Sequence, residues 1–251
     1  MKINEFRKIS TIDYPRKLAS VIFTPSCNFS CPACHARHVV YGESRYSEKD
    51  VFSYLDFAKG FVDAVVLCGG EPTLQPGLED FCGRFKKRFQ EKLLKLDTNG
   101  TNPSVLEDLL KENLIDYVAL DVKGPKNLYP QITGQDYFDF REFEKSIVLT
   151  TRFPAYEFRT TIWPIAVDGE IRFMNLKEIE EMASWVSEYA RKESKWYLQQ
   201  FIARDKDEMI EERFSTENLS EEMRKTPQNL LEKIQQVMRK YFPNVKIRGE
   251  S

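Results

Sequence analysis

Three cysteines lie close together in one short segment, "CNFSCPACH", where Cys27, Cys31 and Cys34 have the spacing C-x3-C-x2-C. Thiolates this close along the chain cannot all form disulfides without distorting the loop, so a metal centre is their natural use. Iron–sulfur clusters are held by cysteine thiolates, and a cubane has four iron corners. Because three cysteines leave one iron open, the spacing predicts a cluster that binds a ligand and reacts with it.

A structural zinc site is the alternative for the same cysteines. Such a site has four ligands, and His35 directly follows Cys34, so a bond from both to one ion would be strained. Cys68 and Cys82 stand singly in apolar surroundings and are interpreted as core thiols. The pattern therefore favours the open cluster over zinc and over a chain without metal.

The segments around the cysteines alternate between strand-like and helix-like patterns. This order implies parallel strands joined by right-handed crossovers. Six such units predict an α/β fold, a partial (β/α)6 TIM-like barrel with a C-terminal helical extension. Strands are predicted over residues 19–24, 62–68, 93–97, 115–122, 156–165 and 196–202. Helices are predicted from Ser47 to Gly60, from about Gly77, from Asn102, from Asp139, over 176–190, and from Thr226 to Tyr241.

Length, charge and cysteine content limit the kinds of protein that this chain can be. The 251 residues are enough for one large domain, and we expect a single domain with a core over about 17–202 and an extension over about 203–251. The net charge of −2 gives no reason to expect nucleic-acid binding. No apolar run reaches membrane-spanning length, and the N-terminus lacks the apolar region of a secretory signal. Five cysteines without a leader predict a cytoplasmic protein in a reducing compartment.

Polar motifs follow the first four predicted strands, at the barrel end where active sites lie. "GGEP" follows the second strand, so Gly69 and Gly70 would let the backbone approach a ligand and Glu71 would supply an acceptor. The alternative is a tight turn that Pro72 stiffens.

Two further strand ends carry charge. In "DTNG", Asp97, Thr98 and Asn99 suit a ribose or a cation, although a turn with an Asn-Gly pair is the better explanation of the motif taken alone. Asp121 and Lys123 lie two residues apart and share a strand face, as a ligand site or as an interior ion pair. Arg159, also on a predicted strand, needs either an anionic ligand or Asp121 as its partner.

These motifs together resemble the radical S-adenosylmethionine (SAM) superfamily. The resemblance implies that the three cysteines hold a [4Fe-4S] cluster, whose open iron is chelated by SAM, and that Gly69, Gly70, Glu71 and Pro72 form the SAM-contacting segment. It also implies a barrel of the radical SAM type and reductive cleavage of SAM to a 5′-deoxyadenosyl radical that abstracts hydrogen.

A closer resemblance covers nearly the whole chain, from "KISTIDYP" through "KLDTNGTNP", "VALDVKGP" and "FRTTIWP" to the closing "IRGE". These segments are similar to the anaerobic ribonucleoside-triphosphate reductase activating proteins, which belong to the glycyl-radical-enzyme activases. The implied substrate is a glycine of a large partner enzyme, and the implied electron donor is a flavodoxin or ferredoxin. Further implied roles are a monovalent-cation site at Asp97, Thr98 and Asp121, and SAM contacts from Thr98, Asn99, Lys123 and Arg159.

Three positions depart from that pattern: Ala33 replaces an aromatic residue, Ala36 replaces an asparagine, and Cys68 replaces a serine or threonine. Ala33 and Ala36 leave open a radical SAM enzyme acting on a small molecule or nucleobase, similar to 7-carboxy-7-deazaguanine synthase. A non-catalytic iron–sulfur or zinc protein is the third hypothesis. Residues 124–139 form a long loop on the predicted active face, and the charged segment 203–226 is either a solvated connector or a docking surface.

Overall fold

A computed structural model describes residues 1–248, which fold around one sheet of eight strands in the order β1-β2-β3-β4-β5-β6-β9-β10 and a separate hairpin, β7-β8. The strands are β1 (Glu5–Ser10), β2 (Ala19–Thr24), β3 (Ala64–Gly69), β4 (Leu93–Thr98), β5 (Tyr117–Asp121), β6 (Ala155–Ile162), β7 (Ile165–Val167), β8 (Glu170–Arg172), β9 (Trp196–Gln200) and β10 (Val245–Ile247). The helices are α1 (Arg37–Val40), α2 (Glu48–Phe57), α3 (Leu78–Arg88), α4 (Pro103–Lys111), α5 (Tyr129–Thr133), α6 (Phe140–Thr150), α7 (Leu176–Ser187) and α8 (Gln228–Met238).

The predicted α/β class is confirmed. Strands β2 to β6 and β9 are neighbours in chain order, and every pair among them is parallel. Strand β1 adds to β2 in the antiparallel direction, whereas β10 adds to β9 in parallel. These two outer strands are not paired with each other, so the sheet is an open, partial barrel.

Some predicted boundaries are wrong. The fifth predicted strand, over 156–165, ends at Ile162, because Pro164 has no N–H for the ladder and the chain turns there into the β7-β8 hairpin. The last helix ends at Met238 instead of Tyr241. The edge strands β1 and β10 and the β7-β8 hairpin were not predicted, since short strands at an edge carry a weak periodic signal.

Ser47 and Asp139, where helices were predicted to begin, both cap their helices. Ser47 and Asp50 make a capping box at the start of α2, and the Asp139 carboxylate accepts two backbone N–H groups of α6. Asn102 stands at the N-cap of α4 without capping it. Its side-chain amide instead donates to Thr73 Oγ1 at 2.9 Å, which joins α4 to the loop after β3.

The sheet has packed side chains on both faces. Its outer face carries two apolar cores, one under α2, α3 and α4 and one under α6, α7 and α8. The inner face near the N-terminal ends of the strands holds a small separate core of Tyr14, Ala19, Val21, Ala64, Val66 and Tyr117. Above this core the inner face becomes charged, and there lies the candidate site.

No helix among residues 1–248 is long and apolar enough to cross a membrane. The division into a core over 17–202 and an extension remains a prediction, although β10 from the extension pairs with β9 of the core. Of the closing "IRGE" motif, Ile247 and Arg248 are described, whereas Gly249 and Glu250 lie outside the described residues.

Candidate active site

A cavity of about 270 Å³ opens at the C-terminal ends of the parallel strands. Almost all residues predicted for the site line it together: Cys27, Cys31, Cys34, Gly69, Gly70, Glu71, Asp97, Thr98, Asn99, Asp121, Lys123 and Arg159. Pro72 is the exception; it is buried in a short 3₁₀ turn behind Glu71. The parallel sheet thus gathers motifs that are up to 132 residues apart, from Cys27 to Arg159.

The cysteine loop follows β2 through a strained residue. Ser26 has a φ of 68°, an unusual value for a residue with a side chain, and its N–H donates to Val40 at 3.0 Å. The three thiols are free, and backbone N–H groups point at two of them, from Phe29 to Cys27 and from Ala36 to Cys34. Such N–H groups favour the thiolate and influence the potential of a cluster that the cysteines hold.

Burial strongly affects the acidity of these cysteines. It raises the pKa of Cys27 to about 11 and that of Cys31 to about 12, and it raises the pKa of Cys34 as well. The three side chains are therefore neutral thiols near pH 7. Because a bound iron centre needs thiolates, its binding must release their protons.

The charged segment 203–226 packs over the cysteine loop. Ile210 N–H donates to the Cys34 carbonyl at 2.8 Å, and Glu211 N–H donates to the Pro32 carbonyl at 3.2 Å. Two side chains of the segment itself, Met209 and Phe214, are fully buried. Although its charges suggested a solvated connector or a docking surface, the segment also holds the cysteine loop in place.

Gly69 and Gly70 allow two strand ends to meet. A Cβ on Gly70 would lie 1.8 Å from the Ser26 carbonyl oxygen, and Gly69 has a φ of +121°. The N–H groups of Gly70 and Glu71 donate to the carbonyls of Thr24 and Ser26, both at 2.8 Å. These glycines therefore permit close approach to the protein's own cysteine loop, in addition to lining the cavity.

The carboxylate of Glu71 connects two of the motifs. It is 1% exposed and accepts four hydrogen bonds: from the N–H and hydroxyl of Thr73, from the Thr98 hydroxyl at 2.7 Å, and from the Asn99 N–H at 2.7 Å. Burial nevertheless raises the pKa of Glu71 above its ordinary value. Three of these bonds are to Oε1 and one is to Oε2, so Glu71 fixes the end of β4 and keeps an acceptor site only on Oε2.

Asn99 extends this connection to the cysteine loop. Its amide N–H donates to Asn28 Oδ1 at 2.8 Å, and its Oδ1 accepts from the N–H and hydroxyl of Thr101. The same amide nitrogen lies 3.9 Å from Cys27 Sγ. A continuous set of hydrogen bonds therefore runs from Glu71 to the first cysteine.

A charged group forms the floor of the cavity. Arg159 lies between two carboxylates, donating from Nη1 to Asp97 Oδ2 at 2.7 Å and from Nε to Asp121 Oδ1 at 2.9 Å. Lys123 Nζ donates to Asp121 Oδ2 at 3.0 Å. Burial alone would raise both carboxyl pKa values, but the adjacent cations hold that of Asp97 below its ordinary value and lower that of Asp121 to about 2.

The two metal sites implied by the resemblance fit this geometry differently. Three free thiols on one cavity wall fit the cysteine-ligated cluster. The side-chain oxygens of the implied cation ligands Asp97, Thr98 and Asp121 already have protein partners, but Asp97 Oδ1 has only the ion pair with Lys95 and accepts no hydrogen bond. Across residues 1–248, no three histidine, cysteine or acidic side chains are close enough to bind one metal ion, so the three thiols suit a cluster in which each cysteine binds a different iron.

Several residues in or beneath the cavity were not predicted for the site, among them Lys95, Trp163 and Ile210. Lys95 lies beneath Asp97 and is 1% exposed, and a lysine inside the apolar strand "LLKLDT" was a usable signal. Trp163 lines the cavity, with Lys123 Nζ 5.4 Å from its ring centroid. Ile210 comes from the segment over the cysteine loop. No sequence pattern indicated that Trp163 or Ile210 would reach the site.

Known proteins resemble this chain in sequence and in fold. The sequence profile of the Radical SAM superfamily matches residues 21–147. A Methanocaldococcus jannaschii protein, provisionally named a glycyl-radical enzyme activating enzyme, is 34% identical over 248 residues, which cover 96% of this chain and 92% of that protein. A Pyrococcus horikoshii protein, provisionally named GTP 3′,8-cyclase, is 33% identical over 47% of this chain and 38% of its own length.

Among solved structures, SuiB from Streptococcus suis superimposes with a TM-score of 0.62 at 16% identity. The match covers 92% of this chain and 49% of SuiB. SuiB bound to S-adenosylmethionine gives a TM-score of 0.58 at 14% identity. At these identities the likeness concerns the fold alone.

Proposed function

The chain belongs to the radical SAM superfamily, and on this premise we propose that it is a glycyl-radical-enzyme activase whose substrate is one glycine of an anaerobic ribonucleotide reductase. The observation that carries the proposal is the similarity to the M. jannaschii protein along 96% of this chain. The similarity to the P. horikoshii protein spans less than half of it. The activase hypothesis is therefore supported by similarity along nearly the whole sequence.

Membership of the superfamily implies a [4Fe-4S] cluster and SAM as cofactors. When bound and reduced, they supply one-electron cleavage of SAM to a 5′-deoxyadenosyl radical that abstracts hydrogen from the substrate. In the proposal Cys27, Cys31 and Cys34 hold the cluster, and a flavodoxin or ferredoxin delivers the electron. Support comes from the three free thiols that line one cavity.

The remaining cavity residues divide into two proposed roles. Lys123 and Arg159 present positive charge to the cavity and are suited to the carboxylate and ribose of SAM. Gly69, Gly70, Glu71, Pro72, Thr98 and Asn99 form the predicted SAM-contacting segments. Within these segments the buried Glu71 carboxylate keeps Thr98 and Asn99 in position. This rigid arrangement fits a site that must orient a cofactor and exclude water.

The test is anaerobic reconstitution of the protein, reduction with dithionite, and incubation with SAM and the glycyl radical enzyme encoded in the same genome. We expect a glycyl-radical doublet in the electron paramagnetic resonance spectrum of the partner, together with 5′-deoxyadenosine. A partner in which the target glycine is alanine, and the Cys31→Ala activase, are the controls that should give no doublet. A fully reconstituted protein that cleaves SAM but leaves the partner without a radical would contradict the proposal.

A nucleotide or nucleobase substrate is the second candidate. The partial similarity to GTP 3′,8-cyclase and the departures at Ala33 and Ala36 favour it. In that case 5′-deoxyadenosine formation should increase when a nucleotide or deazaguanine precursor is added without any protein partner. An increase seen only with the glycyl radical enzyme would exclude this candidate.

A further inference from the structure

A buried lysine, Lys95, lies beneath the cavity at the start of the segment "KLDTNGTNP", and the family resemblance gives it no role. Lys95 is on β4 two residues before Asp97, so both side chains point to the same, inner face of the sheet. Its side chain is 1% exposed, and Nζ lies 2.6 Å from Asp97 Oδ1. The ammonium also lies 5.8 Å from the ring centroid of Tyr117. Its one carboxylate partner is therefore a residue that the family resemblance assigns to a cation.

The two carboxylates of this group have protein cations on all four oxygens. Asp97 has Lys95 at Oδ1 and Arg159 at Oδ2. Asp121 has Arg159 at Oδ1 and Lys123 at Oδ2. Within these five side chains three cations face two anions, and the buried Glu157, which is paired with Arg248, also acts on Arg159.

The third predicted cation ligand is also engaged. Thr98 Oγ1 donates to Glu71 at 2.7 Å and accepts from the Gly100 N–H at 3.1 Å. A free cation could reach these oxygens only beside a lysine or arginine that is already there, or by displacing it and leaving that buried charge without its partner. Beside these protein cations it would meet Coulomb repulsion.

We propose that Lys95 is a positioning residue that supplies, from within the protein, the positive charge at Asp97 that a free monovalent cation supplies in related activases. With Asp97 neutralised from below, Arg159 and Lys123 stay aligned at the cavity floor for the SAM carboxylate, without Na⁺ or K⁺. The inference rests on the proposed SAM site and is independent of which substrate donates the hydrogen.

The test compares SAM binding by the reconstituted wild-type protein in NaCl, KCl and tetramethylammonium chloride at equal ionic strength. We expect the same affinity in all three salts. Lys95→Met keeps the volume of the side chain and removes its charge. It should bind SAM more weakly in tetramethylammonium chloride, by on the order of tenfold, and regain affinity in NaCl or KCl.

A matched control exists in Lys92, a second lysine with a buried side chain, whose Nζ donates to the backbone carbonyls of Lys59 and Val62 far from the cavity. Lys92→Met should bind SAM like the wild type in every salt. A second readout needs no cofactor: the melting temperature of the cluster-free Lys95→Met protein should rise in KCl relative to tetramethylammonium chloride. A purely structural loss would lower the melting temperature equally in all salts.

Two results would overturn the proposal. One is wild-type SAM binding that requires Na⁺ or K⁺, an outcome that can be read even if Lys95→Met does not fold. The other is a folded Lys95→Met protein whose SAM affinity and melting temperature are unaffected by the choice of cation. Neither readout involves a glycyl radical enzyme, so failure to activate the partner would count against the proposed substrate alone.

Discussion

Glu71 and Asn99, 28 residues apart in sequence, are joined by a 2.7 Å hydrogen bond from the Asn99 backbone N–H to the Glu71 carboxylate. This contact connects the loop after β3 to the end of β4, and through Asn99 and Asn28 it reaches the cysteine loop. A buried carboxylate with several donors is costly to alter, because any group that loses its partner remains away from water.

Glu71→Gln should therefore destabilise the protein. The new amide places a donor opposite one of the N–H or hydroxyl donors, and each unsatisfied group costs about 1–3 kcal/mol. Urea unfolding of the cluster-free protein measures the change. Glu79→Gln, at an exposed position of α3, is the control and should stay within about 0.5 kcal/mol of the wild type. Equal stabilities for the two variants would contradict the role given to Glu71.

Substitution of Gly70 should disturb the cysteine loop. In Gly70→Ala the new Cβ would lie 1.8 Å from the Ser26 carbonyl oxygen, so the backbone before Cys27 must move. We expect reduced iron and sulfide content after reconstitution, measured by chemical analysis and by absorbance.

The control for Gly70 is Gly83, which lies within α3 with nothing within 4 Å of an added Cβ. Gly83→Ala should reconstitute normally and gain up to about 1 kcal/mol of stability, because alanine is the better helix former. Full cluster content in Gly70→Ala would show that cluster binding does not need the close approach of Gly70 to the Ser26 carbonyl.

Removal of any one of Cys27, Cys31 and Cys34 should abolish the cluster. Alanine at one of these positions leaves too few thiolates on the cavity wall, so we expect loss of bound iron and of 5′-deoxyadenosine formation in the presence of dithionite and SAM. Cys82→Ala is the control, since Cys82 is fully buried in the core under α3 and away from the cavity. A Cys82→Ala protein without iron, or a Cys31→Ala protein with full activity, would refute the assignment.

The stability contributed by Asp121 should depend on pH. Its folded-state pKa of about 2 lies below the ordinary value of 3.8, so its stabilisation is fully present above the unfolded pKa and is lost as the pH falls through the folded pKa. The difference corresponds to at most about 2.5 kcal/mol, which partial exposure of the side chain reduces.

The measurement is the free energy of unfolding of the cluster-free wild type and of Asp121→Asn across the acid range. The gap between the two proteins should narrow as the pH falls below about 4. Asp80→Asn, at an exposed position of α3, should follow the pH profile of the wild type. A gap of constant size would mean that Asp121 is not held ionised by Arg159 and Lys123.

The sequence by itself determined the order of elements and the place of the motifs along them. Hydrophobic periodicity depends only on nearby residues, so it identified β2, β3, β4 and most of the helices, and it put the polar motifs at strand ends. The spacing of the three cysteines, which also involves only nearby residues, likewise predicted a metal centre. The same reasoning failed to predict the edge strands, and it extended the fifth strand past Pro164. In both places only a few residues decide whether a strand forms or ends.

Only the tertiary structure decided which of these residues contact one another. Arg159 could reach Asp121 because β5 and β6 pair in a register that places the two side by side, and the position of β4 beside β5 brings Asp97 to the same guanidinium. The packing of Ile210 onto Cys34 joins segments 176 residues apart. Such pairings depend on register and on long-range packing, which no local pattern encodes, and they left the predicted cation ligands with protein partners.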